Sequence, residues 1–441
     1  MREQELILYR GFEQETILNA MVSLMEDTDE SQEGICRRRS LGYKVIHGLL
    51  EMAGSYGFGG NLWHCYLTNL LVNHENSYSM GCEIRGTAEG TINEAVLHDI
   101  VIFREFFRYD FCLTAQKVGI TGFHMIADYC PGKRESRIYN SRIRERICTL
   151  AKQLADADGA EEMKEILTAF YRDYGVGKLG LHKAFRMEEK DGRWQIVPIS
   201  NIAHVHLDDL IGYEIPKKKL VDNTEAFVYG RRANNCLLFG DAGTGKSSSI
   251  KAITNRYYKD GLRIIEVYKH QFKGLNDVIA QVKNRNYKFI IYMDDLSFEE
   301  FETEYKYLKA VIEGGLEKKP DNVLIYATSN RRHLVREKFS DKEERRDDLH
   351  ASDTVQEKLS LAARFGVTIF FGSPDKKEFE KIILELADRH KVEMERKQLL
   401  MEANKWELYH GGLSGRCAKQ FIDYICGLEG ITKEGAGSDE A

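Results

Sequence analysis

The spacing of apolar residues predicts a mainly helical N-terminal domain over residues 1–185. In that stretch apolar residues recur three and four positions apart, as in Ile147, Leu150, Ala151 and Leu154. This spacing places them on one face of a helix, which can then be buried. No sequence pattern with recognisable chemistry occurs in the region, so its function is left open.

A β-hairpin and a linker are predicted next, over residues 186–219. The dipeptide Asp191-Gly192 separates two short apolar runs, Ala184–Met187 and Trp194–Val197. Asp-Gly favours the tight turn that joins two antiparallel strands. Pro198 and Pro216 bracket the segment after the hairpin, which is interpreted as a linker.

Residues 220–373 alternate short apolar runs with helical patterns. Apolar runs of this length, separated by helices, indicate a parallel sheet covered on both faces. The predicted strands are Asn235–Gly240, Ile264–Val267, Phe289–Met293, Asn322–Tyr326 and Val367–Phe371. Three amphipathic segments then predict a small helical lid over residues 374–430, and the small polar residues 431–441 predict a disordered tail.

Composition narrows the class of protein. The chain of 441 residues is 43% hydrophobic and 30% charged, which is typical of a globular protein and argues against a fibrous or disordered one. A net charge of −6 gives no overall attraction to nucleic acid or anionic membrane. No run of about 18 apolar residues occurs, so no membrane span is expected. Nine cysteines without a C-x-x-C pair, and no apolar signal segment after Met1, favour a cytoplasmic protein with free thiols.

Residues 240–247 match the phosphate-binding pattern G-x-x-x-x-G-K-[ST] between a predicted strand and a predicted helix. Glycines let such a loop wrap tightly, and its amides and the helix N-terminus then face phosphate oxygens. The lysine is expected to reach the β- and γ-phosphates, and the following serine to offer its hydroxyl to Mg²⁺. The predicted nucleotide-binding residues are Gly240, Asp241, Ala242, Gly243, Thr244, Gly245, Lys246, Ser247 and Ser248.

Two further strands end in polar residues suited to a magnesium and water site. Asp294 and Asp295 follow the strand at Phe289–Met293, and Asn330 follows the next strand. Asp294 is predicted to act with Ser247 in holding Mg²⁺, Asp295 to polarise the attacking water, and Asn330 to position that water. The alternatives are a solvated loop start and an Asx turn.

Two arginines complete the candidate site. Arg364 precedes the fifth strand, where a guanidinium is able to stabilise charge on a neighbouring subunit's γ-phosphate. Arg416 begins the last helix and is predicted to close the lid on bound nucleotide. Taken alone, each is also compatible with an ordinary surface arginine.

Over residues 205–428 these motifs, in this order, resemble an AAA+ ATPase. The resemblance implies an α/β P-loop core with a C-terminal helical lid, ATP and Mg²⁺ as ligands, and a homo-oligomer in which Arg364 acts in trans. It also implies that the backbone near Ile211 and Gly212, in the segment Leu207–Tyr213, contacts the base. The chain looks most like a bacterial AAA+ family known only as a domain of unknown function.

Two departures from the AAA+ pattern leave the mechanism open. Many AAA+ enzymes carry Asp-Glu where this chain has Asp294-Asp295, so hydrolysis is expected to be slow, with Glu299 as a less favoured substitute base. The stretch 268–274 matches poorly the aromatic loop of protein-unfolding AAA+ rings. A protein-threading role is therefore not supported.

Three hypotheses follow. The leading one is a Mg-ATPase that couples hydrolysis to conformational change in a partner or in its own N-terminal domain. The second is a slow ATP-dependent switch or loader that binds a protein or nucleic-acid partner, and the third is a P-loop kinase. The basic run at 133–146 is interpreted as a solvated or subunit-facing helix rather than a DNA contact, and the charged stretch 337–353 as a surface loop.

Overall fold

The computed structural model describes residues 2–13, 15–132, 136–200, 202–203, 205–298, 304–313, 320–330, 334 and 361–429. These residues form two compact units, the first reaching His182 and the second beginning at Lys183.

The first unit is helical, as predicted. Its described helices are α1 (Glu15–Glu26), α2 (Gln32–Tyr56), α3 (Leu62–Asn73), α4 (Ser77–Arg85), α5 (Ile92–Phe107), α6 (Phe111–Val118), α7 (Phe123–Ala127), α8 (Ser141–Asp156), α9 (Ala160–Tyr174) and α10 (Gly177–Leu181), with a 3-10 turn at Arg2–Glu5. Aromatic side chains such as Trp63 and Phe103 fill a core with no solvent exposure. The Asp99 carboxylate accepts hydrogen bonds from the amides of Ile7, Leu8 and Tyr9 at 2.7 to 3.0 Å, which anchors the N-terminal segment to α5.

The second unit is built on a sheet of seven strands within the described residues. They are β1 (Ala184–Lys190), β2 (Arg193–Pro198), β3 (Cys236–Gly240), β4 (Leu262–Glu266), β5 (Lys288–Met293), β6 (Val323–Ser329) and β7 (Val367–Phe371), in the order β2-β1-β4-β5-β6-β3-β7. All neighbours are parallel except β1 and β2. The accompanying helices are α11 (Glu214–Val228), α12 (Lys246–Tyr257), α13 (Leu275–Val282) and α14 (Glu304–Glu313). The sheet that the apolar runs predict is therefore confirmed.

The strand order determines where a ligand can bind. Strand β6 lies between β5 and β3, so the carboxyl ends of three neighbouring strands meet at one edge of the sheet. In parallel α/β sheets, ligands bind beyond this edge, where successive connections leave in different directions. The P-loop follows β3, the acidic pair follows β5, and Asn330 follows β6.

The predicted hairpin forms β1 and β2, and it is part of this sheet. Strand β1 pairs in parallel with β4, with Ala184 opposite Ile264, and β2 then forms the edge. Phe185 and Met187 are buried because the strand alternates inward and outward positions. The local pattern indicates the hairpin but not the third strand against which it packs.

Three helices close the described chain, and the predicted helical lid is confirmed for them. They are α15 (Lys376–His390), α16 (Arg396–Tyr409) and α17 (Gly415–Leu428). Their apolar faces form a separate core around Phe379, Ile383 and Phe421, and Ile211 is buried in the same cluster. Packing of Ile211 against the lid brings the segment predicted to contact the base next to it.

Some predicted features fall outside the described residues: Glu299, the stretch 337–353, the start of the basic run at 133–135 and the tail from 431. The rest of the basic run enters α8, whose buried face includes Ile143 and Ile147. In the part of the chain that the structure describes, no helix is both long enough and apolar enough to cross a bilayer.

Candidate functional site

The P-loop lies between β3 and α12 with a backbone that requires its glycines. Gly240, Gly243 and Gly245 have φ of 135°, 76° and 90°, which L side chains rarely adopt. A Cβ on Gly240 would overlap the carbonyl oxygen of Phe371 on β7. A Cβ on Gly243 would lie 3.0 Å from the Cβ of Arg416, so the lid packs directly on the loop.

Lys246 is held inside the loop by three oxygen acceptors. Its Nζ donates to the carbonyls of Gly240 at 2.9 Å and Asp241 at 2.6 Å, and to Oδ1 of Asn330 at 3.0 Å. The side chain is buried, which lowers its pKa, while the nearby carboxylates oppose that shift. A direct hydrogen bond therefore joins the P-loop lysine to Asn330 at the end of β6.

The first carboxylate, Asp294, is tied to both α12 and β6. Its Oδ1 accepts a hydrogen bond from the Ser247 hydroxyl at 2.7 Å and another from the Thr328 hydroxyl at 2.6 Å. Burial raises the pKa of Asp294, but the bonds from Thr328 and Ser247 outweigh it and the net pKa is lowered. Asp294 is therefore an anion beside the serine hydroxyl at neutral pH.

The second carboxylate, Asp295, has an unusual backbone. Its φ is 48°, in the left-handed region, and its amide donates to the Thr328 hydroxyl at 2.9 Å. Its Oδ1 accepts from Nδ2 of Asn330 at 2.8 Å. The left-handed turn directs consecutive carboxylates to different partners, and Asn330 joins Asp295 to Lys246.

Thr328 is the residue that sequence reasoning missed. It touches both members of the acidic pair and lies two positions before Asn330, on a fully buried strand. A hydroxyl on a central strand is the signal that was available, because buried polar groups normally have partners. Its neighbour on β3 is Leu238, in the strand that leads to the P-loop.

The lid encloses a cavity of about 820 Å³ over these groups. Ser414 caps α17 by accepting from the amide of Cys417, and the Arg416 amide donates to the Gly243 carbonyl at 3.0 Å. Arg416 and Lys419, one turn apart on α17, line the cavity together with the P-loop. Two cations therefore face the loop from the lid.

The opposite end of the cavity is mainly apolar. Ile211, Tyr213, Ile382 and Leu386 line it, together with Arg389 from the end of α15. The Arg389 guanidinium donates to the Asp208 carbonyl at 2.8 Å, which joins the lid to the segment predicted to contact the base. This end can accept a flat, weakly polar group such as a purine.

Four of the predicted residues do not line the cavity: Gly240, Asp241, Gly212 and Arg364. Gly212 adopts φ 79° within the segment, and Arg364 is partly buried in the turn before β7; neither lines the cavity. The Asp241 carboxylate accepts from the amide and hydroxyl of Ser373 at 2.8 and 2.9 Å instead. These two bonds lower the pKa of Asp241 and fasten the P-loop to the start of the lid.

The oxygen groups at the cavity floor fit Mg²⁺. Magnesium usually takes one or two protein oxygens and fills its remaining positions with phosphate and water. Ser247 and Asp294 supply this set, 2.7 Å apart. No cluster of three or more His, Cys, Asp or Glu side chains suited to a metal occurs within the described ranges.

Comparison with known proteins gives one family and several distant structures. Residues 180–429 match the family model described as "Protein of unknown function (DUF815)". Two variants of RuvB from Thermotoga maritima are similar to 53% of this chain. One variant has 18% identity over 74% of its own chain, with a TM-score of 0.33. The other has 16% identity over 75% of its own chain, with a TM-score of 0.31. The FIGL-1 AAA domain in complex with ADP has 16% identity over 53% of this chain and 77% of its own, with a TM-score of 0.34. No curated protein matches the chain, and similarities this distant say nothing about substrate or partner.

Proposed function

Because the chain belongs to the DUF815 family, and because its second unit has a mostly parallel sheet followed by a helical lid, we propose that it is a cytoplasmic, magnesium-dependent ATPase of the AAA+ type. One observation carries the proposal. Lys246, Asn330 and Asp295 form a continuous hydrogen-bonded chain beside the Ser247–Asp294 pair. A phosphate-binding ammonium, a metal-binding pair and a base are thereby within reach of one phosphoryl group.

Nucleotide binding follows from the loop and the lid. The amides of the P-loop and the N-terminus of α12 hold the phosphates, with Lys246 at the β- and γ-positions. The base occupies the apolar end, against Ile211. Arg416 reaches the phosphates from the lid. Because its amide is already bonded to Gly243, loss of the γ-phosphate is able to change how the lid packs on the loop.

Ser247 and Asp294 would hold the magnesium ion. When bound, the ion neutralises phosphate charge and fixes the orientation of the γ-phosphate. The contribution of the protein is to keep a hydroxyl and an ionised carboxylate at one place on the cavity floor. Thr328 assists by donating its hydroxyl to the same carboxylate oxygen as Ser247.

Asp295 is the proposed base. A water attacks the γ-phosphorus, the bond from phosphorus to the β,γ-bridging oxygen breaks, ADP leaves with that electron pair, and the proton of the water passes to the carboxylate. Asn330 orients the carboxylate and the water. Its amide also contacts Lys246, so base and phosphate-binding group share one positioning residue.

Arg364 is proposed to act on the nucleotide of a neighbouring subunit in a homo-oligomer. It does not line the cavity of its own chain, which supports a role in trans. Hydrolysis per subunit should then rise with protein concentration. Mixing Arg364→Ala chains with Lys246→Ala chains should restore part of the activity that each lacks alone. Full activity in a proven monomer would contradict the role.

A slow switch is the second candidate, and Asp295 favours it. Its carboxyl is one methylene shorter than the glutamate of many AAA+ enzymes and is already bonded to Asn330. In that version ATP orders the lid for a protein or nucleic-acid partner, whereas in the first version turnover moves a partner or the N-terminal unit. Steady-state ATP hydrolysis by purified protein separates them, because brisk turnover excludes a pure switch.

The central experiment measures Mg-ATP binding and hydrolysis for the wild type, Lys246→Ala and a surface control, Lys259→Ala. Binding by calorimetry should be abolished or severely weakened in Lys246→Ala, because the loop loses its ammonium. The exposed Lys259, beyond the end of α12, should be neutral. A wild type without affinity for Mg-ATP would refute the proposal.

A further inference from the structure

Tyr292 is a buried polar residue directly beneath the proposed metal site. It lies on β5, and its side chain is 2% exposed. Its hydroxyl makes no hydrogen bond of acceptable geometry with any described residue. A phenylalanine would fill nearly the same volume without this unpaired group, so packing alone does not account for the hydroxyl.

The position of Tyr292 on its strand directs it toward the site. Alternate residues of a strand share a face, so Tyr292 is on the face of Asp294 two positions later. It packs in the same core as Ile250 and Ile253 of α12, the helix that carries Ser247. Its ring therefore belongs to the core on which that helix packs.

The surroundings of the hydroxyl consist of metal-site groups. It interacts electrostatically with the Asp294 carboxylate and lies beside the hydroxyls of Ser247 and Thr328. Both of those hydroxyls donate to one oxygen of Asp294, Oδ1. The carboxylate thus has two donors on one oxygen, and a third buried donor lies close to it.

We propose that Tyr292 is a positioning residue for magnesium, and that its hydroxyl donates to Asp294 when a metal–nucleotide complex is bound. The inference rests on the proposed Mg-ATP site and adds a residue to it. Groups that hydrogen-bond a metal-associated carboxylate fix its orientation, and removing one commonly reduces metal affinity 10- to 100-fold. Because Tyr292 acts through Asp294 alone, its effect should depend on the metal and not on the nucleotide.

The test compares ATP affinity with Mg²⁺ and with EDTA, by calorimetry, for the wild type, Tyr292→Phe and Tyr326→Phe. Tyr326 is the matched control because it lies directly opposite Tyr292 on β6 and is equally buried. Its hydroxyl bonds Asn223 and Thr224 of α11, away from the metal site. Tyr292→Phe should weaken Mg-ATP binding about tenfold and leave binding in EDTA unchanged. Tyr326→Phe should lower the thermal midpoint without altering the ratio of the two affinities.

A double-mutant cycle with Asp294→Asn distinguishes positioning from packing. If Tyr292 acts through the carboxylate, Tyr292→Phe should have no further effect on the Mg²⁺-dependent ratio in the Asp294→Asn background. Paramagnetic resonance of Mn²⁺ with ATP gives a second readout, in which Tyr292→Phe should increase the free-ion signal. An unchanged ratio in Tyr292→Phe, or equal losses with and without metal, would overturn the inference while leaving ATP binding intact. A wild type that binds no ATP would refute the proposed function and this inference with it.

Discussion

Replacement of Asp295 by asparagine separates the proposed base from everything else this residue does. The substitution keeps the size of the side chain and removes its charge. In the structure the amide of Asp295 donates to Thr328, and its Oδ1 accepts from Asn330 at 2.8 Å. An asparagine can keep both bonds, because its carbonyl oxygen takes the place of Oδ1. The only group lost is the one that accepts a proton.

The backbone makes the expected effect on stability unusually small. Asp295 has φ 48°, where asparagine is among the most tolerated residues other than glycine. We therefore expect the free energy of unfolding to stay within about 0.5 kcal/mol of wild type. Asp295→Ala, which loses the carboxylate and meets the left-handed strain, should be less stable by about 1–2 kcal/mol.

Turnover should fall by roughly 10²–10⁴-fold in Asp295→Asn, the usual contribution of a positioned base. ATP affinity should change little, because Lys246 keeps its three acceptors. The assay combines steady-state phosphate release, calorimetric ATP binding and urea denaturation on the same preparation. Normal hydrolysis by Asp295→Asn would show that another group takes the proton. Parallel loss of binding and turnover would show that the residue is structural.

Three further changes test the loop and its connections. Gly240→Ala places a methyl group against the Phe371 carbonyl. We therefore expect the free energy of unfolding, measured by urea denaturation, to fall by on the order of 2–4 kcal/mol. An unchanged denaturation midpoint would contradict the geometry. Burial lowers the pKa of Lys246 below the ordinary value of 10.5. ATP affinity, measured by calorimetry, should therefore decline at a lower pH than it would with an ordinary lysine. An affinity that stays constant up to pH 10.5 would refute this. Asp241→Ala removes the acceptor of two bonds from Ser373 and should cost below about 1 kcal/mol, since the pair is exposed. Because the pKa of Asp241 is lowered, its contribution to the free energy of unfolding is complete above pH 3.8 and disappears as the pH falls through the lowered value. A difference in stability between wild type and Asp241→Ala that persists at still lower pH would contradict this.

Much of the second unit could be predicted because its signals are local. A strand, a glycine-rich loop and a helix follow each other at Cys236–Tyr257, and each depends on residues adjacent in sequence. The acidic pair and Asn330 were predicted from their positions at strand ends. Parallel strands bring such ends together, so the hydrogen bonds from Asn330 to Asp295 and from Lys246 to Asn330 follow from fold class plus position.

The features that were not predicted depend on contacts between residues distant in sequence. The hairpin joins the sheet through pairing of Ala184 with Ile264, 80 positions away. The Asp241–Ser373 connection spans 132 positions, and a P-loop pattern treats its second residue as variable. Neither periodicity nor motif spacing carries this information, because both describe one segment at a time.

Strand β6 explains how a shortened acidic side chain is accommodated at this site. Thr328 donates to Asp294 and accepts from the Asp295 amide, so one hydroxyl holds both residues of the pair. Asn330, two residues on, holds the Asp295 side chain and contacts Lys246. An aspartate reaches less far than a glutamate, but here its backbone turns into the left-handed region. Thr328 holds its backbone amide, and Asn330 holds its carboxylate. The position of the proposed base is thus determined by β6 as much as by its own strand. Substitutions at Thr328 should consequently affect the metal pair and the base together, whereas those at Asn330 should affect the base and the phosphate-binding lysine.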